Sequence, residues 1–111
     1  MKTTILKTAV IAALALSASS LLAADAKELW DKNCLKCHGA DGKGQTKMGK
    51  QAGVKDYTDA KVQADMKDDA AIKAIKEGIV ENGKKKMDPY KDKLSDDDVK
   101  ALLAYVRAFK K

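Results

Sequence analysis

Cys34-Leu35-Lys36-Cys37-His38 is the stretch from which the rest of this sequence can be read. Two thiols three residues apart can form thioethers to the two vinyl groups on one edge of a porphyrin. The imidazole that follows reaches the iron from one side, so tether and axial ligand come from a single turn of chain. The spacing predicts one covalently attached haem c, with its iron, held by Cys34, Cys37 and His38. A thiol–disulfide redox site would suit a strand leading into the two cysteines, and no strand pattern precedes Cys34. Zinc needs about four ligands, whereas the chain has two cysteines and a single histidine.

That single histidine restricts the other face of the iron. With His38 used, a second imidazole from the same chain is impossible, and methionine becomes the natural soft partner because thioether sulfur favours iron(II). Met48 lies in a glycine-rich stretch soon after His38, and Met66 lies in a polar stretch where plain core packing is its simplest role. Met87 sits between two helical segments and directly before Asp88-Pro89, and it is the expected sixth ligand.

Outward from this centre, the 111 residues leave room for one domain. Lys2 and Lys7 precede the apolar run Ala9 to Leu16, followed by Ser17 to Ser20 and a stretch rich in alanine, which is the order of parts in a secretory signal peptide. The run is too short and too interrupted by serine to span a membrane. We expect residues 1–24 to be cleaved, residues 25–111 to form the domain, and the product to be periplasmic and not membrane-spanning. The whole chain carries a net charge of +6; losing Lys2 and Lys7 leaves 20 basic and 16 acidic side chains, or +4. With 34% charged and 5% aromatic residues, the chain looks short of apolar core. A small domain of that kind commonly needs a cofactor or other staple to fold well.

Residues 26–36 read as a short helix delivering the cysteines. Glycines at 39, 42, 44, 49 and 53 mark residues 39–57 as a loop without regular structure of its own. A weak helix near 59–65 and a middle helix over 68–77 follow, the latter started by Asp68 and Asp69 and stopped by Gly78. Ser95 and Asp98 form a capping-box pattern, and Leu94 and Val99 occupy the positions of a hydrophobic staple. Val99, Leu102, Leu103, Val106 and Phe109 then recur at helical spacing as a core stripe. No strand alternation is seen, so the sequence predicts an all-α domain of three to four short helices with long loops.

Two blocks give the chain its resemblance to small bacterial class I monohaem cytochromes c. Cys34-x-x-Cys37-His38-Gly39-x-x-Gly42-x-Gly44 resembles the family's haem motif. Met87-x-Pro89-Tyr90, Leu94-Ser95 and Leu102-x-x-Tyr105-Val106-Arg107 resemble its distal ligand loop and last helix. The resemblance covers nearly all of the mature chain. It implies the class I cytochrome c fold wrapped around the haem, with Ala26 and Trp30 on the first helix against Leu102 and Tyr105 on the last. Many relatives place a proline after the haem motif, whose carbonyl receives the proximal imidazole N–H. The only proline here is Pro89, so another backbone carbonyl within 42–57 is expected to orient His38.

The function expected is one-electron shuttling between redox partners through a haem ligated by His38 and Met87, without catalysis. An open-site haem peroxidase or a ligand-binding sensor is the alternative, and each would need a free or weakly held sixth position. In the family's geometry Lys84, Lys85 and Lys86, with Lys32, Lys36, Lys43 and Lys47, would ring the exposed haem edge. That charge suits an acidic docking surface on a protein partner. Nucleic acid is not an expected partner, and with no apolar stripe left over the protein is expected to be a monomer.

Overall fold

The computed structural model describes residues 25–111, so the signal peptide expected over residues 1–24 lies outside the described residues. Helix α1 runs through residues 25–33 and, after a one-residue break at Cys34, gives way to α2 (Leu35–His38). Then come α3 (Lys47–Ala52), α4 (Ala60–Asp65), α5 (Asp68–Glu77), the strands β1 (Ile79–Glu81) and β2 (Lys84–Met87), and α6 (Asp96–Arg107).

The last helix starts as its sequence dictates. The Ser95 hydroxyl accepts from the Asp98 N–H at 3.1 Å, and the Asp98 carboxylate accepts from the Ser95 N–H at 3.1 Å, which satisfies two otherwise orphaned donors. Leu94 and Val99 are both buried in the one core cluster, together with Trp30, Leu102 and Val106. α6 thus presents its apolar stripe to α1, and Phe109, just beyond its end, turns back onto Trp30 with ring centroids 5.1 Å apart. The indole also packs 5.5 Å from Tyr105. The first-helix to last-helix contact expected at Trp30 and Tyr105 is therefore present, with Ala26 buried nearby.

α5 begins at Asp68 and ends at Glu77, as the acidic start and Gly78 predict. α4 is capped by the Asp59 carboxylate, which accepts from the N–H groups of Lys61 and Val62.

Two expectations need correction. The 39–57 stretch is not devoid of regular structure, because Thr46 caps α3 by accepting from the Gly49 N–H at 2.8 Å and Gly53 closes it in the left-handed conformation. Nor is the segment before Met87 a plain loop. β1 and β2 form an antiparallel hairpin turned by Asn82 and Gly83, whose φ angles of 53° and 77° suit the tight turn that an Asn-Gly pair favours. Strand alternation is hidden because β2 reads Lys-Lys-Lys-Met, with no apolar face to alternate. The register passes from Ile79–Met87 to Val80–Lys85, which leaves Lys86 as an extra residue, a β-bulge that redirects the end of the strand.

α3 lies against the turn that carries the cysteines. A Cβ built on Gly49 would run into the backbone carbonyls of Cys37 and Gly44. Glycine is normally about 1 kcal/mol worse than alanine inside a helix, yet here the close approach outweighs propensity. Gly49→Ala is expected to destabilise the protein by about 1 to 3 kcal/mol, as overpacking does, measured by chemical denaturation. A stabilised variant would show that α3 is not pressed on this turn.

Candidate haem site

Cys34 is the residue at which the chain breaks between α1 and α2, and its N–H donates to the Trp30 carbonyl at 2.8 Å. The α2 turn places His38 at its C-terminal end, where Gly39 leaves the helix with a φ of 79°. The Trp30 indole N–H donates to the Gly39 carbonyl at 2.9 Å, which ties α1 to the residue after His38. On the other side the Thr46 hydroxyl donates to the Cys37 carbonyl at 2.9 Å. The turn is therefore held from both flanks by bonds to its own backbone.

His38 is 8% exposed. Burial holds its imidazole below the usual histidine range, so the neutral ring is favoured. Its Nδ1 is buried and has no hydrogen-bond partner among the described residues. The backbone carbonyl expected within 42–57 is thus not at Nδ1; the ring instead has aromatic neighbours, Tyr57 stacked at 5.4 Å and Trp30 tilted at 5.5 Å.

Beside this ring lies a cavity of about 390 Å³, lined among others by Cys34, His38, Met66, Met87, Leu102 and Val106. Cys34, His38 and Met87 are brought to one space from α1–α2 and from the hairpin, 49 residues further along the chain in Met87's case. Cys37 is half-buried in the same turn but does not line the cavity. Met48 is 42% exposed on α3 and away from it. Met66 lines it too, which chain position alone did not indicate.

Met87 is held there by backbone packing. A Cβ on Gly78 would collide with the Met87 carbonyl and the Pro89 nitrogen, so the end of α5 and the Met87 segment touch directly. With a φ of 75°, Gly78 also needs a conformation that other residues resist. Beyond Pro89, the Tyr90 N–H donates to the Ile75 carbonyl at 3.0 Å and its hydroxyl donates to the Asn33 carbonyl at 2.9 Å. Tyr90 thus joins the distal segment to α5 and to the end of α1.

The chemistry of this cavity fits a flat apolar macrocycle bound through its metal. A neutral imidazole, a thioether from another element, a thiol at the edge and aliphatic walls could supply axial and covalent anchors. Equatorial ligands would have to come from the group itself. Among the described residues no three His, Cys, Asp or Glu side chains converge on a bare metal ion. Burial, with help from neighbouring Cys37, pushes the Cys34 thiol up to about 11. A thiol–disulfide catalyst needs the opposite, a depressed thiol.

Tyr57, Gln63 and Arg107 also belong to the surroundings of the site. Gln63 is 5% exposed and its amide donates to the carbonyls of Tyr57 at 2.7 Å and Val106 at 2.8 Å. No short-range pattern marks it, because its partners lie up to 43 residues away.

The family model for cytochrome c matches residues 23–110. Among solved structures, the chain is similar to the KustC0563 c-type cytochrome, with 40% identity and a TM-score of 0.71, over 78% of this chain and 99% of that one. A point mutant of Kustc0563 is likewise 40% identical, with a TM-score of 0.68 and the same coverage of both chains. No curated protein matches.

Proposed function

We propose, from the premise that the chain belongs to the cytochrome c family, that His38 and Met87 are the axial ligands of its haem and that Cys34 and Cys37 are the thioether anchors. As a small class I monohaem member, the chain carries covalently bound haem c with its iron and is a haem-based electron carrier that exchanges electrons with redox partners. The observation that carries the ligand assignment is the convergence of Cys34, His38 and Met87 on one apolar cavity.

When bound, the haem supplies a one-electron couple at its iron. The chain's own residues determine how that couple behaves. His38, kept neutral by burial, offers a nitrogen lone pair without first losing a proton. The Met87 sulfur is a soft donor that favours the reduced metal and so raises the potential. Leu102 and Val106 exclude water from the interior, which favours the less charged, reduced state. With His38 and Met87 both holding the haem, no position would be left for a small molecule to react, and the protein would act as a carrier without catalysis of its own.

Residues 1–24 are a cleaved export signal on this reading, and the domain works in the periplasm as a monomer. Among the described residues no helix is long and apolar enough to cross a membrane. Partner docking falls to the haem-side lysines. Lys84 and Lys85 are exposed on the hairpin that leads to Met87, and Lys36 and Lys47 are exposed around the cysteine turn. Such a surface suits an acidic protein partner and a short-lived, charge-steered complex.

Two measurements check this reading. In the ferric protein the weak long-wavelength methionine-to-iron band is expected to disappear in Met87→Ala and to persist in Met66→Leu. The reverse would assign the sixth position to Met66, and absence of the band from the wild type would revive an open site. Electron transfer to the redox partner is expected to slow as ionic strength rises, and a rate indifferent to salt would remove the steering role of the lysines.

A further inference from the structure

His38 is the only histidine in the chain, and a metal-bound imidazole ordinarily has its rotation fixed by donating its second N–H to a carbonyl or carboxylate. Here Nδ1 is buried without any such partner among the described residues, so something else must set the angle of the ring. The candidates are the two rings that touch it. Tyr57 lies at 5.4 Å with an interplanar angle of 27°, and Trp30 at 5.5 Å with 40°.

Each of these rings is itself fixed. Trp30 is 2% exposed, bonded through its indole N–H to the Gly39 carbonyl, and backed by Tyr105 and Phe109. Tyr57 follows an irregular segment, but both of its backbone groups are engaged. Its N–H donates to the Gly42 carbonyl at 2.9 Å, and its carbonyl accepts from the Gln63 amide at 2.7 Å.

Gln63 is the hub of a polar network that reaches across the fold. Its amide nitrogen spends both donors, on the carbonyls of Tyr57 and Val106. Its amide oxygen accepts from the Arg107 guanidinium at 3.1 Å. The two carbonyls on one side and the cation on the other determine which end of the amide is nitrogen. Arg107 donates further, at 2.6 Å each, to the Gln63 carbonyl, the Met66 carbonyl and the Asp68 carboxylate. The end of α6 is thereby fastened to α4, to the start of α5 and, through Gln63, to Tyr57.

We infer that the His38 imidazole is oriented by ring packing between Trp30 and Tyr57 in place of a hydrogen bond at Nδ1, and that Gln63 and Arg107 are positioning residues that set Tyr57 against it. The inference rests on the proposed ligation by His38. It gives a physical reason for a fully bonded buried glutamine next to Tyr57, since an unpaired amide there would be costly.

The test uses ferric holoprotein labelled with ¹⁵N-histidine and the hyperfine-shifted NMR signals of the His38 ring and the haem methyl groups. The order of the methyl signals depends on the angle of the axial imidazole plane. Tyr57→Phe, which keeps the ring, is expected to retain the wild-type order. Tyr57→Leu is expected to change it, and so is Gln63→Leu. Should the buried Gln63→Leu fail to mature, Arg107→Gln removes the network at a side chain that is 33% exposed. An unchanged order in Tyr57→Leu with native far-UV circular dichroism would overturn the ring clamp. A change in Tyr57→Leu without one in the Gln63 or Arg107 variants would overturn the positioning role of the network. Because only one histidine is labelled, wild-type nitrogens lacking any hyperfine shift would instead sink the ligation by His38.

Discussion

Trp30 makes the contact on which the remainder of the molecule is arranged. Its indole N–H bonds the Gly39 carbonyl, its ring lies against His38, Tyr105 and Phe109, and almost none of it reaches solvent. One side chain therefore connects α1, the cysteine turn and the end of α6. Truncating a buried aromatic of this kind costs about 3 to 5 kcal/mol, a large share of the roughly 5 to 15 kcal/mol that holds a whole domain together. A chain with so few aromatic residues has little to replace it, which makes the position of the turn and the stability of the fold one problem.

The part of the cavity lining around Met87 is built differently, from backbone shape more than from buried bulk. Gly78 lets the end of α5 touch the Met87 and Pro89 backbone, the bulge at Lys86 turns the strand, and Tyr90 bonds back to α5 and α1. A thioether on such a segment is placed by its peptide chain, while the hairpin ahead of it stays exposed and lysine-rich. The nearness of the proposed sixth ligand to the lysines proposed for docking then follows from chain connectivity, because Lys84 to Met87 is one strand.

Much of this was legible in the residues. The cysteine–histidine spacing, the Ser95–Asp98 box, the α6 stripe and the bounds of α5 are local patterns, each written within a few turns of chain, and the structure contains all of them. The hairpin was missed although Asn82-Gly83 is a strong turn signal, because three lysines in a row conceal strand periodicity. Helix α3 was missed because its glycine reads as a breaker, when it is the residue that allows α3 to approach Cys37. Least legible were the contacts at longest range. The roles of Gln63 and Arg107 come from pairings across more than 40 residues, and the expected carbonyl for His38 gave way to ring packing that no spacing rule encodes.

At the centre of the account stands a porphyrin tethered by Cys34 and Cys37. Intact mass spectrometry of the exported protein under denaturing conditions tests this most directly. The account predicts a single species carrying one haem per chain that unfolding does not release, and its loss from a Cys34→Ala, Cys37→Ala variant. A chain that shows only polypeptide mass, or that sheds its haem on denaturation, would contradict it.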